Sequence, residues 1–307
     1  MSTVTRRTCS VAAGLAPMLL AAVAFAQPAP TFVYGKADDV KDVKGVEWTA
    51  SAEAGVLLTT GSSETTTITG GARMTRKSGK NKFEAAVSGA LARSTVRVAN
   101  DIDGNGKIGA AELSNATLNT AETIEGKLRF DRFLTERNSL YLAALAKRDV
   151  PAGKEFAGGA QFGYSRVLKK TDKAEAVAEV GADYSYENLV APGDPLSIFS
   201  ARAFLGYKAT LGESATVETS GEVLANVNEL DTPTGTATFF EDLRLNLNAA
   251  ISTKLGKDLS LSVGLQAKFD NVPAPLALAG VTFEDGYVPE SSKLDTIFKA
   301  SFIYTLF

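Results

Sequence analysis

Polar and apolar residues alternate along most of this chain. In the final stretch Leu294, Thr296, Phe298, Ala300, Phe302, Tyr304 and Leu306 share one face, against Lys293, Asp295, Lys299, Ser301 and Thr305 on the other. A period of two is the signature of a β-strand whose two faces meet different surroundings. Trp48, Ala50, Ala52, Ala54, Val56 and Leu58 likewise oppose Glu47, Thr49, Ser51, Glu53 and Thr59. The same pattern sets Ala174, Ala176, Ala178, Val180, Ala182, Tyr184 and Tyr186 against Glu175, Glu179, Asp183, Ser185 and Glu187. Leu259, Leu261, Val263, Leu265, Ala267 and Phe269 stand against Ser260, Ser262, Gln266, Lys268 and Asp270.

About twelve such segments are expected, near 45–59, 64–77, 81–97, 119–134, 138–149, 155–168, 173–187, 196–210, 214–228, 238–254, 258–270 and 293–307. Connections after the even segments are tight, as at Ser78-Gly79-Lys80 and Leu211-Gly212-Glu213, whereas most of those after the odd segments are longer. An even count with short turns at one end and long loops at the other is the asymmetry of a bacterial outer-membrane barrel. Aromatics agree with two interfacial girdles: Trp48, Phe83, Phe130, Phe133, Tyr141, Tyr207 and Tyr304 near the tight turns, and Phe156, Tyr184, Tyr186, Phe199, Phe239, Phe240 and Phe269 near the loops. A soluble all-β protein with half-buried strands also alternates, but gives no reason for the ordering of short and long connections.

The N-terminus reinforces this reading. Arg6 and Arg7 precede an apolar run from Val11 to Phe25, followed by Ala24-Phe25-Ala26, the small-x-small form of a signal-peptidase site. Residues 1–26 are therefore expected to be a cleaved signal peptide, and 27–44, polar and carrying Pro28 and Pro30, a periplasmic lead-in. Cleavage removes Cys9, the only cysteine, and takes the formal net charge from −3 to −5. The chain has no histidine. Cysteine nucleophiles, disulfides, Ser-His-Asp triads and imidazole metal ligands are thus excluded from the mature protein, and the acidic balance argues against a nucleic-acid partner.

Several motifs resemble the YdiY-like salt-induced outer membrane proteins, a family of unassigned function. They are Thr59-Thr60-Gly61-Ser62-Ser63-Glu64-Thr65-Thr66-Thr67 after a Trp-led first strand, Arg73 to Arg76 before a Lys/Asn turn, and Leu128-Arg129-Phe130-Asp131-Arg132-Phe133-Leu134-Thr135-Glu136-Arg137. The resemblance runs from about Trp48 to the C-terminus and implies an outer-membrane barrel with no established catalytic residue. Ser62 stands where Asn is frequent in that family, and the connection after the third strand is enlarged.

That enlarged connection, 99–118, holds the sharpest local motif. Asp101-Ile102-Asp103-Gly104-Asn105-Gly106-Lys107-Ile108-Gly109-Ala110-Ala111-Glu112 fits a twelve-residue calcium loop. Asp101, Asp103 and Asn105 offer side-chain oxygens, Lys107 its carbonyl and Glu112 a bidentate carboxylate, while Gly106 permits the central turn. Ca2+ is the expected ligand, with Ala110 to Ala116 available as a short outgoing helix. Strand-like residues precede the loop, so the incoming helix of an EF-hand is absent from the pattern.

Glu47, Glu53, Arg73, Glu84, Arg129, Asp131, Glu175, Glu179, Asp183, Arg202, Lys208, Glu218, Glu222, Asp242, Arg244, Lys268, Asp270, Asp295 and Lys299 are expected to face the lumen. Such a mixture makes either a polar conduit or a plug of ion pairs. Glu175/Glu179 and Glu218/Glu222 are spaced for a shared strand face, which explains them better than acid–base catalysis does. The sequence thus points to an all-β transmembrane antiparallel barrel of about 12 strands over residues 45–307 in the Gram-negative outer membrane. Its expected partners are outer-membrane lipid, calcium and the barrel-assembly machinery. The chain is expected to be a monomer with a structural or envelope role, or alternatively a narrow passive channel for small solutes or ions, and not an enzyme.

Overall fold

In the computed structural model, residues 43–59, 63–99, 113–190, 194–233, 235–275 and 291–306 are described. Alternating segments become long strands because each can give one face to an apolar and the other to a polar environment. They are β1 (Val43–Thr59), β2 (Ser63–Gly79), β3 (Asn81–Ala99), β4 (Leu113–Thr135), β5 (Asn138–Asp149), β6 (Lys154–Lys170), β7 (Ala174–Leu189), β8 (Leu196–Leu211) and β9 (Ala215–Asn226). A small hairpin, β10 (Leu230–Thr232) and β11 (Gly235–Ala237), precedes β12 (Leu243–Lys254), β13 (Leu259–Asp270) and β14 (Leu294–Thr305). β1 to β9, β12, β13 and β14 form a closed barrel in chain order, every neighbour antiparallel, with β14 returning to β1. The expected twelve-stranded architecture is the observed one.

The distribution of side chains is the inverse of a water-soluble core. Leu142, Phe162 and Val180 are 58%, 63% and 58% exposed on the outside, whereas Glu84, Asp131 and Arg129 are 0%, 0% and 2% exposed within. Closure pairs every sheet edge, so the backbone needs no hydrogen bonds from its surroundings. Tight turns join β2–β3, β4–β5, β6–β7, β8–β9 and β12–β13, all at one end; Gly79 and Gly212 adopt the left-handed conformation there, at φ 54° and 64°.

Strand boundaries differ from expectation in three places. β4 begins at Leu113, and Ser114, Asn115 and Ala116 pair with Val98, Arg97 and Val96, so residues 113–116 are strand where an outgoing helix was expected. Continuing the ladder satisfies backbone groups that a helix one turn long would leave open. β12 starts at Leu243, not near 238, because Thr238 to Asp242 form a corner in which Phe240 has φ 63°. Within that corner Glu241 accepts the Thr238 amide at 2.7 Å, which holds its carboxyl below the usual carboxylate range. β1 starts two residues earlier than expected, at Val43, and the signal and most of the lead-in lie outside the described residues.

The β9–β12 connection folds back over the long-loop end. Leu230 and Ala237 of its hairpin are buried against Ile198, with Leu196 and Val272 packed alongside. Asn226, fully buried, fastens the base of this loop: its amide donates to the Asn228 and Thr238 carbonyls at 2.8 Å each, and its side-chain oxygen accepts the Asp242 amide at 3.0 Å.

Closure is uneven. β13 and β14 share eleven register pairs, from Leu259↔Tyr304 to Phe269↔Leu294. β1 and β14 share four, Ser51↔Thr305 to Ala54↔Phe302, extended by the Leu306 amide donating to the Ala50 carbonyl at 2.9 Å.

Candidate functional site

The inward positions of β4, β5, β7, β8 and β9 converge on one ion-paired cluster. Residues two apart on a strand share a face, so Arg129 and Asp131 both enter the lumen, and their side chains meet at 2.7 Å. Arg129 also reaches across two intervening strands to Glu179 at 2.7 Å. The other carboxylate oxygen of Glu179 receives Arg202 at 2.9 Å, and Arg202 continues to Glu222 at 2.6 Å. Tyr141 sits among the cations: Arg202 donates to its hydroxyl at 2.7 Å, and the Arg129 guanidinium lies 4.4 Å from its ring centroid. Gly163 and Gly181, register partners on β6 and β7, leave the space that Tyr141 fills. A Cβ on either would stand 2.7 or 2.8 Å from the tyrosine oxygen.

A second cluster lies nearer the long-loop end. Glu187 accepts from Lys154 and from Arg244, each at 2.7 Å, and Arg244 also pairs with Asp242 at 2.9 Å. Asp183, between the two clusters along β7, accepts from Gln161 at 2.9 Å and Ser185 at 2.8 Å. A third group joins Glu84 to Lys82 at 3.4 Å and to Arg73 at 3.5 Å. Removing charges from water costs several kcal/mol per ion unless each finds a partner. The first two clusters meet that requirement with chords across the β4–β12 side of the lumen, and the third does so locally on β2 and β3.

The opposite side is different. A cavity of about 230 Å³ lies against β1–β3, β9 and β12–β14, and its inward wall carries Ser51, Ser220, Asn248, Ser262, Gln266 and Ser301. Gln266 donates to Asn248 at 2.9 Å, and Asn248 to Ser220 at 3.4 Å, which makes a polar chain across three neighbouring strands.

Of the nineteen residues expected in the lumen, seven are buried there, Glu84, Arg129, Asp131, Glu179, Asp183, Arg202 and Asp242, whereas Glu47 and Asp295 are exposed. The side chain of Lys299 lies outside the description. Glu179 and Glu222 are engaged by arginines, and Glu218 lies 3.5 Å from Lys208, so these carboxylates act as ion-pair partners. Sequence reasoning missed Lys82, Lys154, Phe133 and Tyr141 as inward residues, and placed Glu187 on the polar face of its strand without naming it among the lumen charges. Two of these correct the expected tight-turn girdle: Phe133 and Tyr141 are 3% and 4% exposed inside the barrel. Phe133 shares its face with Arg129 and Asp131, and this shared face gives its direction away.

The candidate calcium ligands Asp101, Asp103, Asn105, Lys107 and Glu112 lie outside the described residues. Among the described residues, no group of three or more His, Cys, Asp or Glu side chains is arranged to hold a metal ion.

Comparison with solved structures places outer-membrane barrels beside this chain. The translocator domain of the autotransporter NalP from Neisseria meningitidis is 14% identical, with 87% of this chain and 91% of that chain covered and a TM-score of 0.38. OmpT, an outer membrane protein of Vibrio cholerae, is 10% identical over 87% of this chain and 100% of that one, with a TM-score of 0.38. The NanC porin is 8% identical over 84% and 97%, with a TM-score of 0.41. No curated protein matches the chain in sequence. A family model described as "Protein of unknown function, DUF481" matches residues 52–305, and the chain belongs to that family.

Proposed function

We propose that this protein is a monomeric outer-membrane barrel with a structural role in the envelope, its lumen braced by ion pairs, and that it is not an enzyme. The observation that carries this reading is the buried run Asp131–Arg129–Glu179–Arg202–Glu222, which ties β4 to β7, β8 and β9 through the interior. Supporting the location is the apolar exterior, far larger than the patches a soluble monomer exposes. Every barrel strand has at least the roughly 9–11 residues needed to cross a bilayer. Lipid is then the partner of the outer face, and the barrel-assembly machinery the partner for insertion.

A narrow passive path for small solutes or ions is the second reading, and the cavity beside β1 and β14 favours it. Planar-bilayer recording separates the two. The structural reading expects no reproducible unitary conductance; a stable, ion-carrying step in every insertion would replace it with the channel.

Calcium binding at Asp101–Glu112 is proposed on the sequence motif alone. Its oxygen donors suit a hard cation, with an affinity as weak as the roughly 10⁻⁴–10⁻³ M of extracellular modules. Calorimetry on the folded protein should give a calcium heat that disappears in the double variant Asp101→Ala/Glu112→Gln. An unchanged heat in that variant would remove the assignment.

A further inference from the structure

We propose that the cavity beside β1–β3 and β12–β14 binds a small, uncharged, polyhydroxylated solute of about monosaccharide size. Beside Glu53, Arg73 and Glu218 the wall carries serine hydroxyls and two carboxamides, groups that both donate and accept hydrogen bonds, as a polyol does. Its volume, about 230 Å³, lies just under the roughly 300 Å³ at which small-molecule pockets begin, which sets the ligand at one small ring rather than an oligomer.

One atom points to a ligand directly. Gln266 is 2% exposed and lines the cavity; its side-chain nitrogen donates to Asn248, yet its side-chain oxygen is buried with no hydrogen-bond partner among the described residues. An orphaned buried acceptor is unfavourable, and a ligand hydroxyl supplies the missing donor. Around it, Asn248 and Ser220 continue the polar chain, while Ser262 and Ser301, register partners on β13 and β14, add two hydroxyls.

The charges on this wall argue for a neutral guest. Three charged residues line it, Glu53, Arg73 and Glu218. Arg73 lies 3.5 Å from Glu84 and Glu218 lies 3.5 Å from Lys208, and Glu53 is likewise engaged within the protein. An ionic solute entering here loses hydration without gaining a free counter-ion, whereas a polyol exchanges water hydrogen bonds for protein ones. None of the described lining residues is aromatic, so selection rests on hydrogen bonds and not on ring stacking.

The site does not depend on whether the barrel conducts, so binding is measured directly. The protein folded in detergent micelles is titrated calorimetrically with glucose as the neutral probe and gluconate as its charged counterpart. Glucose should bind at least tenfold more tightly than gluconate. Gln266→Met keeps the length and removes the acceptor, and should weaken glucose at least tenfold. Ser262→Ala, a smaller change, should weaken it two- to fivefold and keeps the test decisive should the first variant not fold. Both variants should keep the heat-dependent gel shift of a folded barrel. Equal affinities for glucose and gluconate, no glucose heat in the wild type, or unchanged glucose affinity in the folded variants would each overturn the proposal.

Discussion

Replacing Glu179 by Ala tests the idea that the interior ion pairs brace the barrel. Glu179 is 2% exposed and accepts three charge-assisted hydrogen bonds, from Arg129 Nη1 at 3.2 Å, Arg129 Nη2 at 2.7 Å and Arg202 Nη1 at 2.9 Å. Summing about 1.5–3 kcal/mol for each would overstate the loss, because Asp131 and Glu222 still hold one arginine each. What the variant creates is two buried cations that share two carboxylates instead of three, beside a vacated volume. Removing one partner of a buried pair costs about 3–5 kcal/mol, which shifts the unfolding equilibrium by roughly two to four powers of ten. The measurement is urea unfolding of the protein in lipid vesicles, followed by fluorescence of Trp48, the only tryptophan. Glu155→Ala is the comparator: Glu155 lies 3.0 Å from Arg148, but both side chains are more than a third exposed, and its loss should cost less than about 1 kcal/mol. Should the two variants unfold within about 1 kcal/mol of each other, burial would not be what gives the Glu179 pairs their strength, and the bracing argument would fail.

Three further outcomes follow from other parts of the molecule. Gly163→Val pushes a side chain into the Tyr141 hydroxyl and the Val180 carbonyl, and should lower stability by at least roughly 3 kcal/mol or abolish the heat-dependent gel shift. Leu142→Arg places a charge on the outer face at the middle of β5 and should cost about 2–4 kcal/mol in vesicles, with a much smaller loss expected if that face were wet. Asn226→Ala removes three hydrogen bonds at the base of the β9–β12 loop; it should cost about 1–3 kcal/mol and speed proteolysis within 227–242, and a wild-type digestion pattern would show that the hairpin packing alone holds the loop.

The strands and their two faces were legible because each face has one solvent, and solvent is what a two-residue period records. Leu294 to Leu306 and Ala174 to Tyr186 showed this without any knowledge of neighbours. Phe133 and Tyr141 were misassigned because the girdle was drawn from height along the strand, while direction follows parity: both share faces with inward residues. The first four residues of β4 carry too little apolar contrast to announce a strand, and their pairing comes from the overhang of β3. The partners Arg129–Glu179 and Arg244–Glu187 connect strands that are not sequence neighbours. Which chords form depends on the stagger of the closed sheet, and no local pattern encodes it. The orphaned oxygen of Gln266 was invisible for the same reason, since it is defined by what surrounds it.

The short β1–β14 seam fixes the order in which this chain can assemble. Eleven of the barrel's twelve strand contacts join strands that follow one another directly or across the β10–β11 excursion, whereas Ser51↔Thr305 joins residues about 250 positions apart. Closing a free loop of that length costs roughly 2 kcal/mol more entropy than closing one a tenth as long, and four register pairs are a small return for it. The contact becomes favourable only after the intervening strands have already curled the sheet and brought its two edges together. Closure is therefore a late event set up by the local hairpins, and under strain the same seam is the first place at which the cylinder reverts to an open ribbon.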